Sequence, residues 1–274
     1  MAHGTKDGYR VGIAGLGAIG GAVARRLAAG IPGLRLAAVA GRDPAKTAAW
    51  LSENHVSAQS VALGDLPRLC DVVVECLPPA RFAELAGPVV DAGKILVPLS
   101  VGTLLGHLDL VERARATGAR ILAPTGALLG LDAVRAAAEG KIHSVRMVTR
   151  KPPKGLEGAP YLIANRISLE GLTAPLRVFA GSAREGAKGF PANVNVAAAL
   201  SLAGIGADET RLEIWADPGI SRNMHTIEVD ADSARFTLAI EGIPTAENPR
   251  TGRITALSVI ALLRGLTAPL RIGS

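Results

Sequence analysis

The sequence predicts two domains, a doubly wound parallel α/β domain followed by an α+β domain. In roughly the first 123 residues, short apolar strands alternate with helical segments, which is typical of a parallel sheet covered on both faces. Beyond that point strands follow one another without helices between them. We place the first domain at 1–123 and the second at 124–247. We expect 248–274 to form a terminal helix that packs back on the first domain, because its apolar face needs a partner.

Each element of the first domain is either a short apolar run or a segment with apolar residues at helical spacing. The run at 10–15 ends in glycine, and apolar residues at 19, 23 and 27 then recur on one helical face. The same alternation continues as strand 34–40, helix 44–53, strand 70–77, helix 80–92, strand 94–98, helix 107–117 and strand 119–123.

The second domain mixes helical and alternating patterns. Residues 141–150 alternate as in a half-exposed strand, and a strand at 176–179 precedes a glycine-rich loop. The remaining predicted elements are helix 131–139, helix 195–202, three runs that resemble antiparallel strands at 211–216, 224–229 and 234–241, and helix 254–266.

Composition excludes two classes of protein. Of the 274 residues, 49% are hydrophobic and 20% are charged, which is enough apolar material for a core and excludes global disorder. The net charge of +6 is spread evenly, without the clustered patch that nucleic-acid binding needs. An even positive excess suits small anionic ligands, so we expect no nucleic-acid partner.

Cysteine usage and hydropathy indicate the compartment. Cys70 and Cys76 form neither a disulfide framework nor a zinc spacing, and we interpret both as buried free thiols of a reducing compartment, with no metal site. No apolar run is long enough to span a membrane, and the first residues lack the apolar region of a signal peptide. We expect a cytoplasmic protein without a membrane partner, working as a homodimer.

The stretch GLGAIG matches GxGxxG, follows a predicted strand and opens a predicted helix. In that context Gly15 permits a tight turn, Gly17 lets the backbone approach a pyrophosphate, and Gly20 lets helix and strand pack closely. Ala18 and Ile19 begin the helix, whose N-terminus offers N–H donors and a positive dipole. The pattern predicts a Rossmann site for NAD or NADP; the alternative is that the glycines serve packing alone.

The end of the second strand usually carries an acid for the ribose 2′-hydroxyl. Here Gly41 lies about where that acid would be, and Arg42 follows it. A guanidinium at this point can bind a 2′-phosphate, so NADP is an expected cofactor beside NAD. Asp43 is interpreted as the N-cap of the helix that Pro44 opens.

A nicotinamide cofactor transfers hydride, so the protein must supply an acid or a base. His225 lies in a polar loop that runs into a strand, a position typical of functional groups, and an imidazole titrates near neutrality. The other four histidines are interpreted as structural or solvated. His225 is therefore the candidate for the base or for the group that orients water, and a structural role is the alternative.

Other polar groups stand where ligands could bind. Ser100 and Thr125 follow predicted strands at the carboxyl ends of the sheet, where doubly wound folds bind ligands. The basic pair Arg150 and Lys151 leads into a loop, where it would suit a dicarboxylate or, alternatively, form a solvated surface. Two asparagines at 193 and 195 precede a helix, where capping is the alternative to ligand binding.

The sequence resembles the aspartate dehydrogenases in stretches that run in family order across nearly the whole chain. The most specific is the asparagine-rich segment FPANVNVAAALSLAG at 190–204. The others are GIAGLGAIG at 12–20, VVVECLPP at 72–79, ILVPLSVGTL at 95–104, APTGALLGLDAV at 123–134, TRKPPKGL at 149–156, ADP at 216–218, NMHTIEV at 223–229 and ENPRTGRITALSVIALLR at 247–264.

This resemblance implies oxidation of L-aspartate to iminoaspartate with NAD or NADP, a first step toward quinolinate and NAD. The family's active-site histidine matches His225. Its cofactor contacts beyond the glycine loop match Ala127 and the FPANVN segment, where both Asn193 and Asn195 remain open as the contact. The missing acid at the end of the second strand is a departure that argues against a strict preference for NAD.

A small dicarboxylic amino acid is thus the expected substrate, with Ser100, Thr125, Arg150 and Lys151 as candidates for binding its carboxylates. Two alternatives remain from the sequence. One is a dehydrogenase or reductase that acts on another amino acid or on a semialdehyde. The other is a regulatory protein that keeps the Rossmann domain to sense dinucleotides without turnover.

Overall fold

A computed structural model describes residues 8–191, 194–245 and 251–273. The chain divides into two compact units, and the cut near Pro124 lies one residue beyond the predicted boundary. The first unit comprises Met1–Ser100, Gly106–Pro124 and Thr255–Arg271, and the second comprises Val101–Leu105, Thr125–Ile254 and Ile272–Ser274. The grouping of residues 101–105 with the second unit was not predicted.

The strands are β1 (Tyr9–Ala14), β2 (Leu34–Ala40), β3 (Gln59–Ser60), β4 (Val72–Glu75), β5 (Ile95–Pro98), β6 (Arg120–Ile121), β7 (Ile142–Lys151), β8 (Leu176–Ser182), β9 (Arg211–Ala216), β10 (Met224–Ala231) and β11 (Arg235–Glu241).

The helices are α1 (Ala18–Ala28), α2 (Pro44–Glu53), α3 (Leu66–Leu69), α4 (Phe82–Asp91), α5 (Val101–Leu104), α6 (Asp109–Thr117), α7 (Leu131–Ala138), α8 (Pro160–Ala164), α9 (Ala183–Gly189), α10 (Asn195–Ala203) and α11 (Arg253–Gly265). No helix in the described ranges is both long and apolar enough to cross a membrane.

The sheet of the first unit is parallel throughout, with the strand order β3-β2-β1-β4-β5-β6. This is the order of a Rossmann fold, which confirms the predicted parallel α/β class. Because β2 and β4 flank β1, the carboxyl end of β1 lies at the point where strand order reverses. Such switch points are where doubly wound sheets bind dinucleotides.

The core of the first unit is aliphatic, as the low aromatic content requires. Val11 and Ile13 of β1 and Val74 of β4 are fully buried in it. Val259 and Leu263 of α11 are also fully buried in this cluster. The terminal helix therefore finds the partner for its apolar face within the first unit.

The second sheet has the order β11-β10-β7-β9-β8. The runs at 211–216, 224–229 and 234–241 were predicted to be antiparallel strands, and each has an antiparallel neighbour: β10 pairs with β7 and β11, and β9 pairs with β8. The prediction is incomplete for β9, because its other neighbour is β7 and these two strands run parallel. The chain between them contains α8, β8, α9 and α10, which is long enough for the crossover that a parallel pair needs.

The glycine-rich loop predicted after residue 179 is wrong, because β8 continues to Ser182 and α9 follows. The Ser182 hydroxyl accepts a hydrogen bond from the main-chain nitrogen of Glu185, whose carboxylate accepts one from the Ser182 nitrogen, which is a capping box. A Cβ on Gly186 would lie 2.5 Å from a methyl of Leu212. Close packing on the sheet therefore explains this glycine.

Candidate active site

The glycine loop joins β1 to α1. Gly15 has a φ of +97°, a left-handed conformation that favours glycine, and a Cβ there would lie 2.5 Å from the carbonyl oxygen of Cys76. A Cβ on Gly20 would collide with the carbonyl oxygen of Gly15, whereas one on Gly17 would meet nothing within 4 Å. The fold itself thus requires glycine at 15 and 20, and at 17 the backbone is open to a ligand.

The helix that follows presents its N-terminus at this loop. Gly17 is the N-cap of α1 and has no side chain to satisfy the first amides, and the first turn contains no acidic residue. Ala18, Ile19 and Gly20 belong to that turn, in which main-chain N–H groups have no acceptor within the helix. Together with the helix dipole, these donors suit an anion such as a pyrophosphate.

A cavity of about 430 Å³ lies at the end of β2. It is lined by Leu16, Gly41, Arg42, Asp43, Lys46, Thr47 and Trp50. Two cations and an aromatic ring therefore meet beside the glycine loop. That combination suits an adenine ring and a phosphorylated ribose.

Asp43 and Arg42 have separate roles in this cavity. The Asp43 carboxylate accepts hydrogen bonds from the main-chain nitrogens of Ala45 and Lys46, at 2.9 and 3.2 Å, which confirms that it caps α2. Arg42 is exposed and forms neither a hydrogen bond nor an ion pair with any residue the structure describes. Its guanidinium is thus available to a ligand.

Gly41 excludes the acid that usually ends the second strand. A Cβ at Gly41 would collide with the Thr47 hydroxyl, which donates a hydrogen bond to the carbonyl oxygen of Asp43 at 2.8 Å. A carboxylate at this position would require Thr47 to turn away from Asp43. The sequence showed that the acid is missing, and the packing of Thr47 explains why.

Ser100 is buried and engaged within the first unit. Its hydroxyl and its main-chain nitrogen both donate to the carboxylate of Glu75, which is fully buried at the end of β4. Burial raises the pKa of Glu75, against the opposing effect of these donors. The hydroxyl predicted to bind substrate therefore has a partner inside the protein.

Thr125 and Ala127 lie in the turn between β6 and α7. Thr125 is exposed, and its carbonyl oxygen accepts a hydrogen bond from the main-chain nitrogen of Leu128 at 3.1 Å. Ala127 is half-buried and packs against the core of the second unit. Among the described residues, neither side chain forms a hydrogen bond with His225, whose side-chain partner is Thr149.

Asn195 is exposed in the first turn of α10. It does not cap its own helix, because the N-cap is Val194 and no side chain satisfies that end. Its Oδ1 instead accepts a hydrogen bond from the main-chain nitrogen of Gly102 in α5 at 2.9 Å. Asn193, the other candidate, lies outside the described residues.

Arg150 and Lys151 do not act as a pair, because successive side chains on a strand point to opposite faces. Arg150 lies on the outer face of the second sheet, where it forms an ion pair with Asp217 at 3.1 Å and stacks on Trp215 at 4.9 Å from the ring centre. Lys151 lies on the inner face and is buried. The structure thus separates the two residues that the sequence placed together.

His225 is the second residue of β10, and it is buried with 3% of its surface exposed. It pairs with Thr149 of β7, and its Nδ1 lies 3.1 Å from the Thr149 hydroxyl oxygen. Lys151 is two residues further along β7 and so shares this face. These three polar side chains form a buried group, which we call the histidine cluster.

Burial controls the charge of the histidine cluster. Burial, and secondarily the positive charge of Lys151, lowers the pKa of His225 to about 3. Burial also lowers the pKa of Lys151 to about 8. The expectation that His225 titrates near neutrality is therefore wrong, because the protein holds this ring neutral, and Lys151 is the group whose pKa lies in the alkaline range.

The residues of the first unit fit a nicotinamide dinucleotide. The open backbone at Gly17, the unpaired donors of the first turn of α1 and the cationic cavity at Arg42 each match one part of such a molecule. Thr149 and Glu75, which contact His225 and Ser100, were not found from the sequence. The sequence signal that could have indicated Thr149 and Glu75 is that each is a polar residue within a predicted strand.

These features define the class of nicotinamide-dependent oxidoreductases. Residues 15–124 match the model of the homoserine dehydrogenase NAD-binding domain, and residues 132–266 match that of the aspartate dehydrogenase C-terminal domain. An aspartate dehydrogenase structure from Thermotoga maritima superposes with a TM-score of 0.73 at 23% identity, covering 97% of this chain and 99% of that one. This likeness supports the fold.

Full-length relatives establish the family. The chain is 56% identical over 271 residues to L-aspartate dehydrogenase 3 of Bordetella bronchiseptica, covering 98% of this chain and 99% of the relative. It is also 56% identical over 265 residues to an L-aspartate dehydrogenase of Bradyrhizobium diazoefficiens, covering 97% and 94%. The chain belongs to the aspartate dehydrogenase family.

Proposed function

We propose that this protein oxidises L-aspartate to iminoaspartate with NAD or NADP. The observation that carries the proposal is the 56% identity, over nearly the full length, to relatives named L-aspartate dehydrogenase. The product would feed quinolinate and NAD synthesis or hydrolyse to oxaloacetate and ammonia. The buried histidine cluster supports an enzyme rather than a sensor, because ionisable groups whose pKa values are strongly shifted by burial are concentrated at functional sites.

The first unit holds the cofactor. Gly15, Gly17 and Gly20 shape the loop for the pyrophosphate, the amides of Ala18 and Ile19 contribute donors, and Arg42 binds a 2′-phosphate when NADP is used. When bound, the nicotinamide supplies the acceptor for the hydride that leaves the substrate Cα. Ala127 and Asn195 are further cofactor contacts by resemblance to the family, as is Asn193.

The second unit supplies the group that contacts the substrate. We assign this role to His225, whose ring is neutral and hydrogen-bonded on one side to Thr149. Lys151 is the cation of the cluster and suits a substrate carboxylate better than Arg150, because Lys151 lies on the same face of the sheet as His225 and Arg150 lies on the opposite face. Ser100 and Thr125 are weaker candidates, since Ser100 is held by Glu75.

Activity assays test this proposal directly. We expect reduced nicotinamide to appear with L-aspartate at alkaline pH, and no comparable rate with D-aspartate, L-glutamate or L-alanine. Replacing His225 with Ala should lower kcat by about 10²–10³-fold, as loss of a positioned hydrogen-bonding group does, with NAD(P)H affinity retained. Tight dinucleotide binding without turnover of any amino acid would favour the sensor.

We also propose that the protein works in the cytoplasm as a homodimer. The unpaired cysteines Cys70 and Cys76 support a reducing compartment. Light scattering on the purified protein should give twice the chain mass of 28.0 kDa. A mass of one chain at working concentration would contradict the homodimer.

A further inference from the structure

The hydrogen bond between Thr149 and His225 has a direction that the surroundings determine. Thr149 is 2% exposed, and His225 Nδ1 is the only hydrogen-bond partner that the described residues give its hydroxyl. A hydroxyl has one hydrogen to donate and lone pairs to accept, whereas Nδ1 of a neutral ring does one or the other. Two arrangements are therefore possible.

In the first arrangement the hydroxyl donates to Nδ1, so the ring carries its hydrogen on Nε2. In the second, Nδ1–H donates to the hydroxyl, and the hydroxyl hydrogen is left buried without an acceptor. Leaving a buried donor unsatisfied costs more than leaving one of several lone pairs unused. The first arrangement is therefore the stable one.

The far nitrogen of the ring, Nε2, keeps a small exposed area. Among the described residues no buried side-chain nitrogen or oxygen lacks a hydrogen-bond partner. His225 Nε2 forms no hydrogen bond with any of them, so it belongs to the small exposed part of this side chain. A ligand at this position would therefore meet either a hydrogen or a lone pair on Nε2, depending on the tautomer.

The surroundings of His225 keep its ring neutral. On this face of the sheet the neighbours of His225 are Thr149 and Lys151 from β7 and Ile240 from β11. Lys151 is the charged group among them, and its charge opposes a second positive charge on the imidazole. None of these neighbours supplies a carboxylate that would stabilise an imidazolium.

We propose that Thr149 is a positioning residue that donates its hydroxyl hydrogen to Nδ1 of His225 and fixes the neutral ring with its hydrogen on Nε2, so that the imidazole serves the substrate as a hydrogen-bond donor and not as a base. This inference rests on the proposed function of His225 and specifies its chemistry. Nε2 then has no lone pair for the proton that the substrate ammonium loses, so the substrate gives up that proton to water and reacts as the free amine, which alkaline pH favours. The Nε2–H group is matched to a carboxylate oxygen of a dicarboxylic amino acid.

Nitrogen NMR of the histidine-labelled wild-type enzyme tests the tautomer without any variant of Thr149. The signal of His225 is identified among the five histidines by its loss in His225→Gln. We expect a pyridine-like Nδ1 and a pyrrole-like Nε2. A pyrrole-like Nδ1 would overturn the proposal, whether or not aspartate is turned over.

Kinetics test the functional consequence. Thr149→Val keeps the shape of the side chain but removes the hydroxyl, and should lower kcat at least about tenfold with the KM for NAD(P)⁺ unchanged. Thr149→Ser should restore most of the rate. The matched control is Thr226→Val, the same change on the outer face of β10, which should leave kcat as in wild type.

A second pair of variants separates donor from base. The amide nitrogen of Gln can replace Nε2–H as a donor but cannot accept a proton, so His225→Gln should retain at least about tenfold more kcat than His225→Ala. Equal rates for these two variants, or wild-type kcat in Thr149→Val, would contradict the inference while leaving the proposed function intact. Failure of the proposed function would appear instead as no turnover of aspartate by the wild-type enzyme.

Discussion

The carboxylate of Glu75 accepts two hydrogen bonds from Ser100, one from the main-chain nitrogen at 3.0 Å and one from the hydroxyl at 3.1 Å. It accepts a third from the main-chain nitrogen of Leu77 at 2.8 Å. Glu75 ends β4 and Ser100 follows β5, so one buried side chain joins the carboxyl ends of two neighbouring strands. This arrangement gives Ser100 a structural role at the edge where the fold binds dinucleotides.

Replacing Ser100 with Ala distinguishes this role from substrate binding. We expect the free energy of unfolding to fall by about 0.5–1.5 kcal/mol, the net value of one hydrogen bond, with the KM for aspartate within about twofold of wild type. Glu75→Gln should destabilise more, since its amide turns a donor toward other donors. Urea unfolding measures both, with Glu84→Gln in the exposed pair with Arg81 as the control. A large rise in the aspartate KM of Ser100→Ala would instead favour substrate contact.

Gly17→Val should abolish tight cofactor binding and leave the fold intact. The added side chain has open space around it in the protein itself, so the clash arises only when a pyrophosphate approaches. Titration with NADH and NADPH by fluorescence, beside a thermal melt, measures the two effects. Gly64→Val is the matched control, because Gly64 also has nothing within 4 Å of a Cβ and is exposed, in the short 3₁₀ helix Leu63–Asp65. Wild-type affinity in Gly17→Val would refute the assignment.

Arg42→Ala should weaken NADP⁺ and spare NAD⁺. A charge-assisted hydrogen bond to a phosphate is worth about 1.5–3 kcal/mol, which corresponds to roughly ten- to a hundredfold in affinity. The expected change is a rise in the KM for NADP⁺ by that factor, with the KM for NAD⁺ within about twofold. Arg35→Ala removes an exposed arginine from β2, the strand that Arg42 follows, and serves as the control. Equal losses for both cofactors would show that Arg42 does not bind the 2′-phosphate.

The sequence predicted the fold of the first unit well because each local signal agreed with the others. Asp43 followed by Pro44 marked the start of α2, and the observed helix has the predicted ends. The errors lie in the second unit, where tertiary contacts override local pattern. Glycine at 186 indicated a loop, yet it lies in α9 because Leu212 leaves no room for a side chain. The parallel pairing of β7 with β9 depends on a crossover that no local signal encodes.

The candidate site was predicted as residue types but not as contacts. The sequence proposed His225 as the candidate, but the neutral state of its ring depends on burial and on Lys151, which is distant in sequence. Arg150 and Lys151 were treated as one basic pair because they are adjacent in the sequence. In a strand, however, adjacent side chains point to opposite faces of the sheet. Thr149 carries no motif, and only the register of β7 against β10 brings it to the histidine.

The low pKa of His225 makes the folded protein sensitive to acid. In the folded state its pKa is about 3, against an ordinary value of 6.5, so between these pH values the unfolded chain binds a proton that the folded chain does not. Stability is therefore complete above pH 6.5 and falls as pH decreases toward 3, by up to about 1.4 kcal/mol per pH unit from this residue.

Replacing His225 with Gln removes this contribution. As the solution is acidified from pH 7 to pH 4, the unfolding free energy of the wild type should therefore fall relative to that of the variant. Urea titrations at several pH values measure the unfolding free energy of both proteins. In the difference between the two values, the contributions of the titrating groups that both proteins share cancel. His143→Gln makes the same substitution at an exposed histidine on β7 and is the matched variant. If His225→Gln runs parallel to wild type, the ring is protonated as readily in the folded protein as in the unfolded chain, and burial does not lower the pKa of His225.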